Sequence, residues 1–307
     1  MQQTRDKLLV SYYREQHFPI QGPPHFPSLT SLTLTASHHI KTDHFFFEGT
    51  IDAPRLRDFT SDGVPIFPSL LSSPALRRVV LDGQKYPFRW TKVAGFLAQN
   101  PSIEHIKLYH HVDSRDFSTA RPTLPNLKSL FLLYPHFDRL LEAPQLERLT
   151  CFPQTAQIVP FVSIPHLTLL MAGSVRSSWT PTEALSVGLR ILDIVWDEAR
   201  HVIDLLMSLQ QDKPPKRGFS VMYFPNLHTL RLIGCITWYP EQGNYLSDIE
   251  QLLRFRESLV VRYDESSTLT NHFAPATIAS VAQSFPGRFA PVDESEVWSF
   301  TMDDLPL

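Results

Sequence analysis

The chain has 307 residues, 43% of them hydrophobic and 19% charged, with a formal net charge of -3 and a mean hydropathy of -0.13. That balance supplies apolar surface for a folded core and excludes a disordered chain, and without clustered Lys and Arg it offers no counterion-release surface for nucleic acid. Two cysteines, Cys151 and Cys235, exclude a disulfide scaffold, and no run of about eighteen apolar residues reads as a membrane span.

The first stretch, "MQQTRDKLLVSYY", has no apolar core of signal-peptide length, so the expected home is the reducing cytoplasm or nucleus. Residues 1–25 are expected to form an N-terminal cap or flank. From Phe26 onward one phrase returns: FPSLTSLTL, then APRLRDFTS from Ala53, SPALRRVVL from Ser73, NPSIEHIKL from Asn100 and LPNLKSLFL from Leu124. It continues as APQLERLTC from Ala143, IPHLTLLMA from Ile164, SVGLRILDI from Ser186 and FPNLHTLRL from Phe224. Aligned on the proline, at 27, 54, 74, 101, 125, 144, 165 and 225 with Val187 in its place once, the spacings are 27, 20, 27, 24, 19, 21, 22 and 38. These are leucine-rich-repeat lengths with one long insertion.

The L-x-x-L-x-L core of each unit ends in residues that alternate at the strand period, so two side chains turn inward and their neighbours turn out. The proline is read as the first residue of the strand, where no ladder donor is needed. Return helices are expected over "RWTKVAGFLAQN" (89–100), "DEARHVIDLLMSLQQ" (197–211) and "SDIEQLLRFRESL" (247–259), from apolar residues at helical spacing. Parallel strands with such returns predict an α/β fold, a right-handed leucine-rich-repeat solenoid of about nine irregular units over 26–263 with a parallel concave sheet. Residues 5–20 and 246–263 are expected to cap its ends, and 264–307 to form a C-terminal cap or flexible tail.

Catalytic and metal chemistry find little footing. His38, His39, His44 and Asp43, and the pair His110 and His111, have no ligand-helix or knuckle spacing and read as loop histidines. Cys151 stands in an inward leucine position and reads as a small buried hydrophobe. Asp113 with Asp116, and "DESE" at 293–296, read as exposed loop or tail, and no phosphate loop, nucleophile elbow or H-E-x-x-H motif is present. The expectation is a chain that is not an enzyme and has no cofactor or metal; the alternative is a repeat-scaffold enzyme with an unrecognised active site.

Outward positions carry the functional expectation. Early units place polar groups there: Ser31, Thr33 and Thr35, then Asp58, Thr60 and Asp62, then Arg78, Val80 and Asp82, then His105, Lys107 and Tyr109. In the proline frame the central units place apolar groups on neighbouring rungs, and Tyr109, Phe131, Leu133, Phe152, Leu169, Met171 and Val195 are the expected partner-binding residues.

These units, "LPNLKSLFL" and "APQLERLTC" above all, resemble the leucine-rich-repeat regions of F-box proteins, particularly the divergent sets of mushroom-forming fungi, over about residues 24–263. The resemblance implies the substrate-recognition part of a ubiquitin-ligase adaptor, a monomer binding a protein on its concave face. "KLLVSYYREQHFPIQGPP" carries no recognisable F-box, so a Skp1-type linker is an expected partner only of a longer form. Neither nucleic acid nor membrane is expected as a partner.

Overall fold

The computed structural model describes residues 7–12, 25–36, 50–64, 66, 69–71, 73–83, 88–109, 112–113, 121–132, 141–151, 164–170, 188–195, 224–233, 245–264 and 275–293. The chain forms two compact units, residues 1–161 and 162–307.

In the first unit β1 (Lys7–Tyr12), β2 (Ser31–Ala36), β3 (Asp58–Asp62), β4 (Arg78–Asp82), β6 (His105–Tyr109), β8 (Ser129–Leu132) and β9 (Arg148–Cys151) make an open parallel sheet in chain order. The short strands β5 (Phe88–Arg89) and β7 (Val112–Asp113) pair separately, in parallel, on either side of α1 (Trp90–Gln99) and β6 in the chain. Register is constant from strand to strand: Leu32, Phe59, Val79, Ile106, Leu130 and Leu149 stand in one row, and Leu34, Ser61, Leu81, Leu108, Leu132 and Cys151 in the next but one. All of these are buried. Helix α1 covers this leucine face, burying Trp90, Val93, Ala94, Phe96 and Leu97, with the Phe96 and Phe59 ring centroids 5.6 Å apart. Each buried aliphatic contributes about 1.5–3 kcal/mol, too little for one coil to fold alone, so the stacked row is the stable object.

The recurrent proline serves a turn. The carbonyl before it accepts the N–H of the leading leucine three residues on: Leu29 to Phe26 (3.2 Å), Leu56 to Ala53 (3.0 Å), Leu76 to Ser73 (3.1 Å), Ile103 to Asn100 (3.3 Å), Leu127 to Leu124 (3.2 Å) and Leu146 to Ala143 (3.2 Å). Proline thus occupies the second turn position, where its fixed φ is already correct, and the strand starts two residues after the leading leucine. This corrects the expectation of proline as the strand's own first residue. The residue just before each strand then links the coils, its carbonyl accepting two successive N–H groups from the next coil: Thr30 from Arg57 (2.9 Å) and Asp58 (3.1 Å), and likewise Arg57, Arg77, Glu104 and Lys128.

Asn100 ends α1 and opens the next turn, and its buried amide joins three coils. Nδ2 donates to the Phe96 carbonyl (2.9 Å) and the Leu71 carbonyl (3.1 Å), and Oδ1 accepts the Ser73 N–H (3.2 Å). Ser73 Oγ in turn donates to the Leu56 carbonyl (3.1 Å). Backbone groups that irregular coils leave unpaired are satisfied in this way.

The second unit repeats the scheme with β10 (His166–Leu170), β11 (Ile191–Val195), β12 (Thr229–Ile233), β13 (Val260–Tyr263) and β14 (Phe289–Pro291), parallel and in chain order. Helix α2 (Tyr245–Phe255) falls on the expected segment, and α3 (Pro275–Ser284) lies in the stretch expected to be cap or tail. The helix expected over 197–211 lies outside the described residues. Parallel pairing therefore continues past residue 263, to β14. Its turn, Phe285 to Arg288 (3.0 Å), has Pro286 second and Gly287 third with φ +72°, the left-handed conformation that a type II turn demands. Phe224 also takes a positive φ, 55°, and is fully buried; Arg256 Nη1 donates to its carbonyl (2.8 Å) and holds this uncommon backbone in place. Arg288 does similar work for the Leu253 (2.7 Å), Leu259 (3.0 Å) and Arg256 carbonyls. Among the described residues, no helix is long and apolar enough to cross a membrane.

Candidate functional site

Strand alternation gives each unit a second face, opposite the leucines. In the first unit its rows follow from register. Ser31, Asp58, Arg78, His105, Ser129 and Arg148 form the first, Thr33, Thr60, Val80, Lys107, Phe131 and Thr150 the second, and Thr35, Asp62, Asp82 and Tyr109 the third. Most of these side chains are partly exposed, in contrast to the leucines between them. The chemistry changes along the sheet. Strands β2 and β3 present hydroxyls and carboxylates, whereas β6, β8 and β9 present His105, Lys107 and Arg148 with an aromatic pair. In that pair the Tyr109 and Phe131 ring centroids are 5.1 Å apart, and Lys107 Nζ lies 5.9 Å from the Phe131 centroid. Phe131 is buried, so its ring is packed while Tyr109 remains half-buried.

His105 Nδ1 is 2.8 Å from Ser129 Oγ, which orients the ring. Partial burial pushes the imidazole below its ordinary pKa, the Arg78 charge adds to this, and Glu104 opposes it less strongly. Just before the strands, Glu104 bridges two cations, Lys128 Nζ at 2.8 Å and Arg77 Nε at 3.1 Å, and the Lys128 hydrogen bond holds its carboxyl below the usual range.

Of the residues expected to bind a partner, Tyr109 and Phe131 are brought together on this face. Val195 lies on the second face of the other unit, in register with Leu170, and Val195 also pairs with Ile233. Leu133, Phe152 and Met171 lie outside the described residues. Leu169 needs correction: it is in register with Ile194, which pairs with Leu232, so it belongs to the leucine face and is fully buried. The cause is a slip of three residues. In this coil Ile164, not Leu167, takes the leading position two residues ahead of the strand, and Pro165 sits in the linking position, where its carbonyl accepts the Arg190 and Ile191 N–H groups (both 2.9 Å). Alignment on proline therefore displaced every residue of that strand.

The corrected register exposes a cluster that the proline frame hid. His166 and Thr168 of β10, Asp193 of β11 and Arg231 of β12 share the second face and are all buried. Arg231 grips the carboxylate with both ends of its fork, Nε to Oδ1 at 2.6 Å and Nη2 to Oδ2 at 2.9 Å. Thr168 Oγ1 donates to Oδ2 at 3.1 Å, and His166 Nε2 lies 2.6 Å from the same oxygen. Arg231 Nη2 is also 3.0 Å from Nε2. Since Nε2 sits so close to a carboxylate that Arg231 already binds twice, the consistent assignment places a proton on Nε2 that is donated to Asp193. Four donors then converge on the carboxylate, one on Oδ1 and three on Oδ2. Burial pushes the Asp193 carboxyl up, but the hydrogen bonds and charges of His166 and Arg231 outweigh it and hold the group below its ordinary range. Such a carboxylate is a clamp between three strands.

Cys151 is buried in register with Leu132, as a small inward residue. His38, His39, Asp43, His44, His110, His111, Asp116 and residues 294–296 lie outside the described residues. Compared with protein-family models and with curated proteins, the sequence finds no match.

Proposed function

We propose that the chain is a leucine-rich-repeat solenoid, right-handed and of about nine irregular units, that works as a protein-recognition module and serves as the substrate-binding part of an F-box-like ubiquitin-ligase adaptor. One observation carries the recognition reading: six successive strands of the first unit hold their second-face side chains in unbroken register, while the chemistry of those side chains changes from rung to rung. A row that is constant in geometry and variable in chemistry suits the reading of an extended protein surface, each rung contributing one contact about 4.8 Å from the last. Because α1 packs on the leucine side through Phe96 and Phe59, the second face is left to other contacts. The adaptor role rests on the resemblance of units such as "LPNLKSLFL" to those of F-box proteins.

Proximity labelling in the source cell, with the chain and an Arg148→Glu, Phe131→Ser variant compared side by side, tests both parts. A Skp1-type linker and a cullin among the labelled neighbours are expected, together with further proteins lost only in the variant. Neighbours that include neither ligase component would remove the adaptor role. A neighbour set unchanged by the variant would remove recognition through this face.

A further inference from the structure

We propose that the second face of β4, β6, β8 and β9 receives an acidic protein segment laid across the strands, its carboxylates along Arg78, His105 and Arg148 and an apolar side chain against Tyr109 and Phe131. The proposal rests on the recognition reading above and adds the chemistry of the partner.

The charges are sorted along the sheet. Second-face carboxylates occur on β3 and β4, as Asp58, Asp62 and Asp82, whereas the described second-face positions of β6, β8 and β9 are His105, Lys107, Tyr109, Ser129, Phe131, Arg148 and Thr150, without a carboxylate. Arg78, His105, Ser129 and Arg148 stand in one register row, so a row with an arginine at each end and hydrogen-bonding groups between them crosses four strands. Asp58 does not cancel it. Its oxygen is 3.7 Å from Arg78 Nε, with the two side chains 48% and 61% exposed, a separation and exposure at which an ion pair holds weakly and yields to a better partner. Asp82 stands at the other end of β4, in register with Tyr109.

His105 senses this field. Its imidazole is held down first by burial and then by Arg78, with Lys128 and Arg148 acting in the same direction against Glu104. The part of that shift due to Arg78, Lys128 and Arg148 marks a positive potential at the ring, which favours a carboxylate beside it, whereas burial disfavours either charge. Arginine at both ends of the row suits that ligand, since its planar fork binds a carboxylate through two parallel hydrogen bonds. Spacing is compatible as well: rungs about 4.8 Å apart put Arg78 one step from His105 and Arg148 two steps beyond it, about 1.5 and about 3 residues of an extended segment at ~3.3 Å per residue, so acidic residues two and three positions apart come within reach of the long arginine side chains. Phe131, one row away, and Tyr109, two rows away, together offer the apolar contact that fixes the segment's phase.

The full chain is used as bait for a random peptide-display library, and the enriched sequence is resynthesised with a fluorescein label for anisotropy at low salt. Enrichment of Asp and Glu at two- or three-residue intervals around a Phe, Tyr or Leu is expected. The labelled peptide should bind at least tenfold more weakly to Arg78→Glu and Arg148→Glu, and within twofold of the parent value to Arg190→Glu, an exposed arginine of the other unit. Bound peptide should also raise the proton affinity of His105, seen as an upward shift of its imidazole NMR titration, so binding tightens as pH falls. Folding is checked by melting, and Arg148→Glu should turn selection towards basic peptides, which a merely misfolded variant would not do. Enrichment of neutral or basic sequences by the parent chain overturns the acidic assignment, as does an absence of enrichment. Recognition itself is judged separately by the proximity-labelling comparison above.

Discussion

Asp193 Oδ2 lies 2.6 Å from His166 Nε2, although 27 residues separate them in the chain, and Arg231, 38 residues further on, closes the pair from the next strand. Three consecutive strands of one sheet are thus held on their second face by one carboxylate, while leucines hold them on the other.

Removing one partner from that clamp should be far worse than removing all of it. Arg231→Met leaves Asp193 buried without its two-pronged guanidinium partner, and a loss of about 3–5 kcal/mol is expected from chemical denaturation. The triple variant His166→Leu, Asp193→Leu, Arg231→Met should recover most of that loss, because no charge then needs a partner. An Arg231→Met protein within about 1 kcal/mol of the parent would show the cluster to be unimportant for stability.

The same carboxylate predicts an acid limb. The folded Asp193 carboxyl is held below its unfolded value, so its contribution is fully present above about pH 4, the unfolded value, and disappears as pH falls towards the lower folded value. Unfolding free energy measured between about pH 5 and pH 2 should fall with a steeper slope in the parent than in the triple variant, which has no such group. Parallel slopes would contradict the assignment.

Asn100→Ala tests the amide that ties three coils of the first unit. Two carbonyls and one N–H lose their partner in a buried place, each orphaned group costing about 1–3 kcal/mol before local relaxation. A total loss of about 3 kcal/mol is expected, with Asn100→Asp no rescue, since a carboxylate cannot donate to the Leu71 and Phe96 carbonyls. A drop in the melting temperature too small to resolve would mean that water replaces the amide.

Leu130→Asp addresses cooperativity along the first unit. Leu130 is buried and stands in register between Ile106 and Leu149, so a charge there should loosen the neighbouring coils as well as its own. Hydrogen exchange should accelerate in β6 and β9. Acceleration confined to residues 124–142 would rule out the repeat-by-repeat dependence.

Much of this fold is written locally. The L-x-x-L-x-L phrase with its proline marks the coils because both turn and strand are short-range objects: proline's φ suits the second turn position, and alternation at period two assigns leucines to one face. The pattern therefore located β2, β3, β4, β6, β8, β9, β11 and β12 and, through α1, the side on which the chain returns. It misassigned the proline's task, since strand start and turn differ by only two residues and both tolerate a missing donor. It also stopped at residue 263, because the last turn uses Pro286 and Gly287 without the leucine phrase.

Register across strands is a different kind of information. In β10 a proline stands three residues out of frame, and nothing local distinguishes Leu167 from Ile164 as the leading residue. Only pairing with β11 decides it, because the backbone hydrogen bonds from Arg190 and Ile191 to the Pro165 carbonyl admit one alignment. That decision sends Leu169 to the core and brings His166 and Thr168 to Asp193. His166, Thr168, Asp193 and Arg231, which form no motif along the chain, thus become one clamp. Sequence alone determined a repeated parallel strand with a leucine face and a variable face; which side chains meet on the variable face was decided by pairing, since side chains from different coils become neighbours only when the hydrogen bonds between their backbones set the phase.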